Sequence, residues 1–149
     1  MGITELTDMK KTLTGISSVL LPGRPFIVDY WAIGGTRPGH TGWFRKKYED
    51  MEVIRLDKSS FDRETNLISM VLEFVVLRGK EVLDNFVVKM SARVYEAGQL
   101  DDLLKEAGFE VNVSYNRDRL IEEGASVSSL SPPEKTSFRI LCVALKHSE

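Results

Sequence analysis

The sequence predicts an α/β protein in which a small sheet flanked by helices is joined to an antiparallel β-meander, and three observations carry that prediction. An amphipathic run ends in Leu20-Leu21-Pro22-Gly23-Arg24 and passes directly into the apolar segment Pro25-Phe26-Ile27-Val28-Asp29-Tyr30-Trp31. A second helical pattern, Leu100-Asp101-Asp102-Leu103-Leu104-Lys105-Glu106-Ala107, stops at Gly108 and passes into Phe109-Glu110-Val111. Between the two lie β-rich runs separated by short polar turns.

The first helix follows from Leu6, Met9, Leu13, Ile16 and Leu20, whose three- and four-residue steps place them on one helical face. Pro22 and Gly23 end it. In open α/β sheets ligands gather beyond the carboxyl ends of strands, so Asp29, Tyr30 and Trp31 fall where a site is expected. Residues 32–42 contain four glycines and one proline, which predicts a loop, and the aromatics of 43–48 predict its return to the core. Strands are expected at 52–57, 67–77 and 81–94, with turns at 62–66 and 78–80. Such short connections imply antiparallel neighbours. The helix of about 97–107 hides Leu100, Leu103 and Leu104, and Gly108 suits a left-handed cap. Strands at 109–115 and 137–146 follow, the latter after an irregular polar stretch at 122–135.

A length of 149 residues suits one domain with a core that needs neither disulfide nor metal. A net charge of −2 gives no general attraction to polyanions, so neither nucleic acid nor an anionic membrane is an expected partner. The apolar runs are strand-length and no leader pattern opens the chain, which makes a cytoplasmic location the default expectation. One cysteine excludes an internal disulfide, and Cys142 inside Phe138-Arg139-Ile140-Leu141-Cys142-Val143 reads as a packed core thiol. That cysteine and two distant histidines cannot furnish a structural zinc set, and there is no phosphate-loop motif. No metal is expected.

Taken in order, the blocks at 20–31 and 93–111 resemble the C-terminal half of class I S-adenosylmethionine-dependent methyltransferases. That family shows a helix, an L-x-P-G-G turn and a strand, then an R-x-Y element and a helix ending L-L-x-x-A-G-F. The matching residues here are Leu20-Leu21-Pro22-Gly23-Arg24, Arg93-Val94-Tyr95 and Leu103-Leu104-Lys105-Glu106-Ala107-Gly108-Phe109, with Arg24 where a second glycine is usual. The resemblance covers roughly residues 5–146 and implies a truncated Rossmann-like sheet. Its strands at 25–31, 109–115 and 137–146 would be the family's fifth, sixth and seventh, the last lying antiparallel between the others. On this reading 1–149 is one domain with 50–95 as an inserted antiparallel meander, a lid or an interface.

The family's glycine-rich cofactor turn and the acidic residue that follows it have no counterpart. The run Gly34-Gly35-Thr36-Arg37-Pro38-Gly39-His40 comes after the supposed fifth strand and does not open a helix. The resemblance therefore implies no cofactor-binding residues and no cofactor bound by this chain alone, with S-adenosylmethionine held only if a partner completes it. A hydrophobic fifth strand deprived of its neighbour invites another chain. The expected partner is a second copy or a separate N-terminal methyltransferase half.

Candidate catalytic residues are Asp29, as acceptor or base, and His40, whose imidazole suits proton removal near neutral pH. Tyr30, Trp31, Arg37 and Trp43 are candidates for binding a small-molecule substrate. Each has a plainer reading. Asp29 to Trp31 also fit a strand end closed by aromatic packing, and His40 also fits an exposed loop. Arg93 and Tyr95 read as structural. Trp43-Phe44-Arg45-Lys46-Lys47-Tyr48 interleaves aromatic and basic residues, but the acidic balance of the chain argues against a nucleic-acid platform. Two functions fit: the substrate-side half of a methyltransferase that needs a partner for methyl transfer to a small molecule, and a non-catalytic dimerisation or small-ligand-binding module.

Overall fold

The computed structural model describes residues 2–96, 98–118 and 131–147. The chain divides into two compact units, one comprising Ile3–Thr36 with Arg93–Glu149 and the other Arg37–Ala92 with Gly2.

In the first unit the apolar stripe folds as helix α1, Leu6–Val19, and buries Leu13 completely. Leu20 leaves helical geometry, its N–H still donating to the Ile16 carbonyl, and Gly23 takes a positive φ of 72° in the turn that follows. The turn is anchored because the Gly23 N–H donates to the Lys146 carbonyl at 2.9 Å and the Lys146 N–H to Arg24 at 3.0 Å. Strand β1, Pro25–Trp31, follows. Helix α2, Gln99–Glu106, buries Leu100, Leu103 and Leu104 and stops at Gly108, whose φ of 85° disfavours any residue with a Cβ. Strands Phe109–Asn116 and Arg139–Lys146 complete this unit. The expected irregular stretch at 122–135 lies outside the described residues as far as residue 130.

The last of these strands lies antiparallel between the other two, joined to β1 from Pro25↔Leu145 to Trp31↔Arg139 and to the third from Phe109↔Lys146 to Asn116↔Ile140. A bulge between Val111 and Val113 interrupts the second ladder. Alternation puts Phe26, Val28, Tyr30, Ile140, Cys142 and Ala144 in one core with Leu13, Tyr95, Leu100, Leu104 and Phe109. Each fully buried leucine there contributes about 1.5–3 kcal/mol of apolar burial. Cys142 is buried and free, as a packed core thiol should be.

The second unit is a four-stranded antiparallel sheet of β2 (Gly39–Tyr48), β3 (Met51–Asp62), β4 (Leu67–Arg78) and β5 (Glu81–Arg93), in that order across the sheet. With these numbers the strands Phe109–Asn116 and Arg139–Lys146 are β6 and β7. The turn after β3 is closed by the Asp62 carboxylate, which accepts the Glu64 N–H at 2.9 Å and the Thr65 hydroxyl at 2.8 Å. Asn66, with a φ of 57°, and Gly79, with 61°, supply the left-handed positions of the two later turns.

Residues 32–42 and 43–48 correct the expectation of a loop. A single 3₁₀ turn occupies Ile33–Gly35, and β2 runs from Gly39 through the whole aromatic and basic segment. Glycines are tolerated because β2 is an edge strand whose ladder to β3 is continuous from Gly39↔Ser60 to Tyr48↔Met51. Its aromatics do not return to a core: Trp43, Phe44 and Tyr48 are all exposed. Among the described residues no helix is long and apolar enough to cross a membrane, and no group of three metal-ligating side chains occurs.

Candidate functional site

Successive side chains of a strand point to opposite faces, so the carboxyl end of β1 divides its three candidates. Tyr30 turns inward. It is buried, its ring meets Tyr95 edge-on at 6.0 Å, and Tyr95 itself is pinned by N–H donation to the Trp31 carbonyl at 3.0 Å. Burial pushes the Tyr30 phenol far above its ordinary value, with the charges of Asp101 and Cys142 adding to the shift. Burial also raises Tyr95 and Cys142.

Asp29 and Trp31 turn to the other face. Register sets Arg139 of β7 opposite Trp31 and diagonal to Asp29, within reach of a long side chain. Arg139 and Arg117 both donate to Asp29 Oδ2 through their guanidinium groups. The same carboxylate's Oδ1 is buried and has no hydrogen-bond partner among the described residues, as is true of Arg139 Nε. Two cations and one anion thus leave one positive charge and one acceptor oxygen unmatched.

The surrounding backbone holds this trio. The Arg117 N–H donates to the Arg139 carbonyl at 2.8 Å, and the Asp118 carboxylate accepts the N–H groups of Phe138 and Arg139 at 2.9 and 2.8 Å. The Trp31 ring stacks on Phe138 at 5.7 Å and 17°. The product is a carboxylate gripped by two guanidinium groups, with the stacked Trp31 two residues further along the strand. Nothing in the sequence singled out Arg117, Asp118 or Arg139. The one usable signal was a charged residue opening the apolar strand 139–146.

Arg37, His40 and Trp43 belong to the sheet unit. Arg37 is exposed, and β2 carries His40 opposite Ser59 and Trp43 opposite Leu56. The odd spacing puts His40 and Trp43 on opposite faces of β2, so they do not share a pocket. Trp43 is 71% exposed. The neighbouring basic residues are taken up locally: Arg45 pairs with Glu52, Lys46 lies 5.0 Å over the Tyr48 ring, and the Phe44 ring receives Arg55 at 5.5 Å. Arg93 Nε donates to the Thr4 carbonyl at 2.6 Å, a structural role shared with buried Tyr95.

The buried phenols and thiol set the response to alkali. Their folded-state pKa values lie above the ordinary 10.0 for tyrosine and 9.0 for cysteine, so their contribution to stability is complete below those values and is lost as pH rises past them. The urea midpoint is expected to fall from about pH 9 upward, and Tyr30→Phe to flatten that fall. A midpoint constant to about pH 11 contradicts the assignment.

No sequence family and no curated protein matches the chain. Solved structures do. An S-adenosylmethionine-dependent methyltransferase from Clostridium acetobutylicum superposes with a TM-score of 0.73 at 20% identity, over 98% of this chain and 54% of that one. The fold is methyltransferase-like. An amino pentose methyltransferase from Micromonospora echinaspora, bound to S-adenosylmethionine, matches with a TM-score of 0.70 at 15% identity, over 97% and 52%. A sugar N-methyltransferase from a Streptoalloteichus species gives 0.68 at 16%, over 97% and 51%. The chain spans about half the length of the solved structures it matches.

Within the glycine run, Gly34 and Gly35 lie against the backbone of residues 135–138. A Cβ on Gly34 would stand 1.8 Å from the Lys135 carbonyl oxygen, and one on Gly35 2.6 Å from Phe138. Both glycines are required by the close approach of the 135–138 backbone.

Proposed function

We propose that this chain is the acceptor-side half of an S-adenosylmethionine-dependent methyltransferase, corresponding to the family's fifth to seventh strands, with the cofactor-binding groups contributed by a separate N-terminal half. The observation that carries this reading is the coverage: nearly all of this chain matches about half of each methyltransferase. The exposed apolar side chains of the first unit support it. Val19, Leu21 and Ile27, at 80%, 66% and 60% exposure, all lie on β1 or just before it, and β1 is an edge of its sheet. A strand with an open outer edge and exposed aliphatic groups beside it is a docking edge.

In that assembly Asp29 Oδ1 accepts the proton-bearing group of a small-molecule substrate, Arg117 and Arg139 hold the carboxylate in place, and Trp31 supports the substrate's flat or apolar face. Tyr30 supports the strand from within. Arg37, His40 and Trp43 offer a second substrate-contacting set on the sheet unit, with His40 as its proton acceptor. A second reading, a non-catalytic dimerisation or small-ligand-binding module, draws on the exposed apolar strand β5.

Calorimetry tests the first reading. S-adenosylmethionine is expected to give no binding heat with this chain alone and saturable heat once the polypeptide encoded upstream of its gene is added. In the mixture, Asp29→Ala is expected to lower methyl transfer at least about 100-fold while cofactor binding survives. Saturable binding by the chain alone overturns the proposal. So does full activity of the Asp29 variant for the role given to that residue.

A further inference from the structure

The open edge of β5 carries a pattern that β1 does not. Every residue from Glu81 to Lys89 is exposed, including Val82, Leu83, Phe86, Val87 and Val88, and β4 is the only strand beside β5 among the described residues. Among the described residues the outer edge is covered at its far end, where the Gly2 N–H donates to the Ser91 carbonyl at 3.1 Å and the Arg93 N–H to Ile3 at 3.3 Å. Backbone groups alternate sides along a strand. The outward setting of residues 91 and 93 therefore continues to 89, 87, 85, 83 and 81, whose backbone groups face the edge, with the Asn85 N–H donating to Asp84 Oδ1 at 2.8 Å.

We propose that β5 pairs with β5 of a second copy of this chain, antiparallel about a two-fold axis through Asn85, making one continuous eight-stranded sheet. Charge selects both the occupant and the register. With the axis at Asn85, Glu81 faces the second copy's Lys89, Val82 faces its Val88, Leu83 faces its Val87 and Asp84 faces its Phe86. The symmetric interface contains two Glu–Lys pairs flanking the Val82–Val88 and Leu83–Val87 pairs, with Asn85 on the axis. Moving the axis to Asp84 sets that carboxylate against itself, and moving it to Phe86 or Leu83 breaks both Glu–Lys pairs, setting Lys89 against Leu83 or Glu81 against Asn85. The backbone groups of residues 81, 83, 85, 87 and 89 all face outward, so the Asn85 register also closes main-chain hydrogen bonds at every second position once the Asn85 N–H exchanges the Asp84 carboxylate for the second copy's carbonyl. This surface is independent of the proposed chemistry, since it uses neither β1 nor the Asp29 cluster.

The test is sedimentation velocity on the full chain and three variants at these exposed positions. The chain is expected to sediment as a dimer. Glu81→Lys and Lys89→Glu are each expected to raise the dimer dissociation constant about tenfold or more, because each replaces two attractive cross-strand pairs by two repulsive ones. Combining both substitutions restores opposite charges and is expected to restore the wild-type constant. Asn85→Cys is expected to form an intermolecular disulfide under mild oxidation, since residues facing each other in a hydrogen-bonded antiparallel pair lie about 5.5 Å apart at Cα. A monomeric wild type, single reversals that leave the constant unchanged, or a charge swap that folds normally yet stays monomeric each overturn the proposal.

Discussion

Phe109→Ala is expected to cost about 3–5 kcal/mol of stability, the largest loss from any single truncation in this protein. Phe109 is wholly buried as the first residue of β6, directly after the left-handed Gly108, and its ring lies 5.4 Å from Phe26 at a tilt of 33°. It touches α1, α2 and the sheet through one packed core, so removing the ring leaves a cavity that no exposed side chain can fill. A loss of this size is about a fifth or more of the stability of an ordinary domain. Each unit holds one of the two tryptophans, so urea unfolding followed by Trp31 fluorescence in a Trp43→Phe background reads the affected unit alone. A loss below about 1 kcal/mol would show that the core re-forms around the gap.

Gly34→Ala is expected to follow closely, at about 3 kcal/mol, for the opposite reason. The added methyl would sit 1.8 Å from the Lys135 carbonyl oxygen, a backbone atom that cannot rotate away, so the 3₁₀ turn and the 135–138 segment must separate. Gly15→Ala serves as the control. It lies in α1 with nothing within 4 Å of the new Cβ, and the same change there is expected to stabilise by about 0.5–1 kcal/mol. If both substitutions shift the urea midpoint equally, the close approach at Gly34 is not what fixes that turn.

These two glycines mark the boundary of what the residues reveal on their own. Helical spacing at Leu6, Met9, Leu13 and Ile16, with Pro22 and Gly23 behind it, located α1 and the start of β1 because such signals are local. The central antiparallel place of residues 139–146 followed only from the resemblance, since no local pattern encodes strand order. Strand β2 was hidden because Gly39 and Gly42 disfavour strands, and what makes this segment a strand is a ladder to residues 51–60. The Asp29–Arg117–Arg139 cluster was hidden for a related reason. Its members lie in three separate parts of the chain and meet only after β7 has paired with both β1 and β6. Asp29 alone was visible, from its place at a strand end.

The central position of β7 also governs the order in which the two units can form during synthesis. Strands β2 to β5 pair with their sequence neighbours through tight turns, so that sheet can close while the ribosome is still adding residues. Strands β1 and β6 have no bond to one another until β7 enters between them, and every β1–β7 pairing joins residues more than a hundred positions apart. The apolar β1 must therefore wait, with α1 already attached to it, until residues 139–146 leave the exit tunnel. During that interval the nascent chain holds a finished meander and an unfinished sheet, and chaperone occupancy should peak on the segment around Phe26 and Ile27.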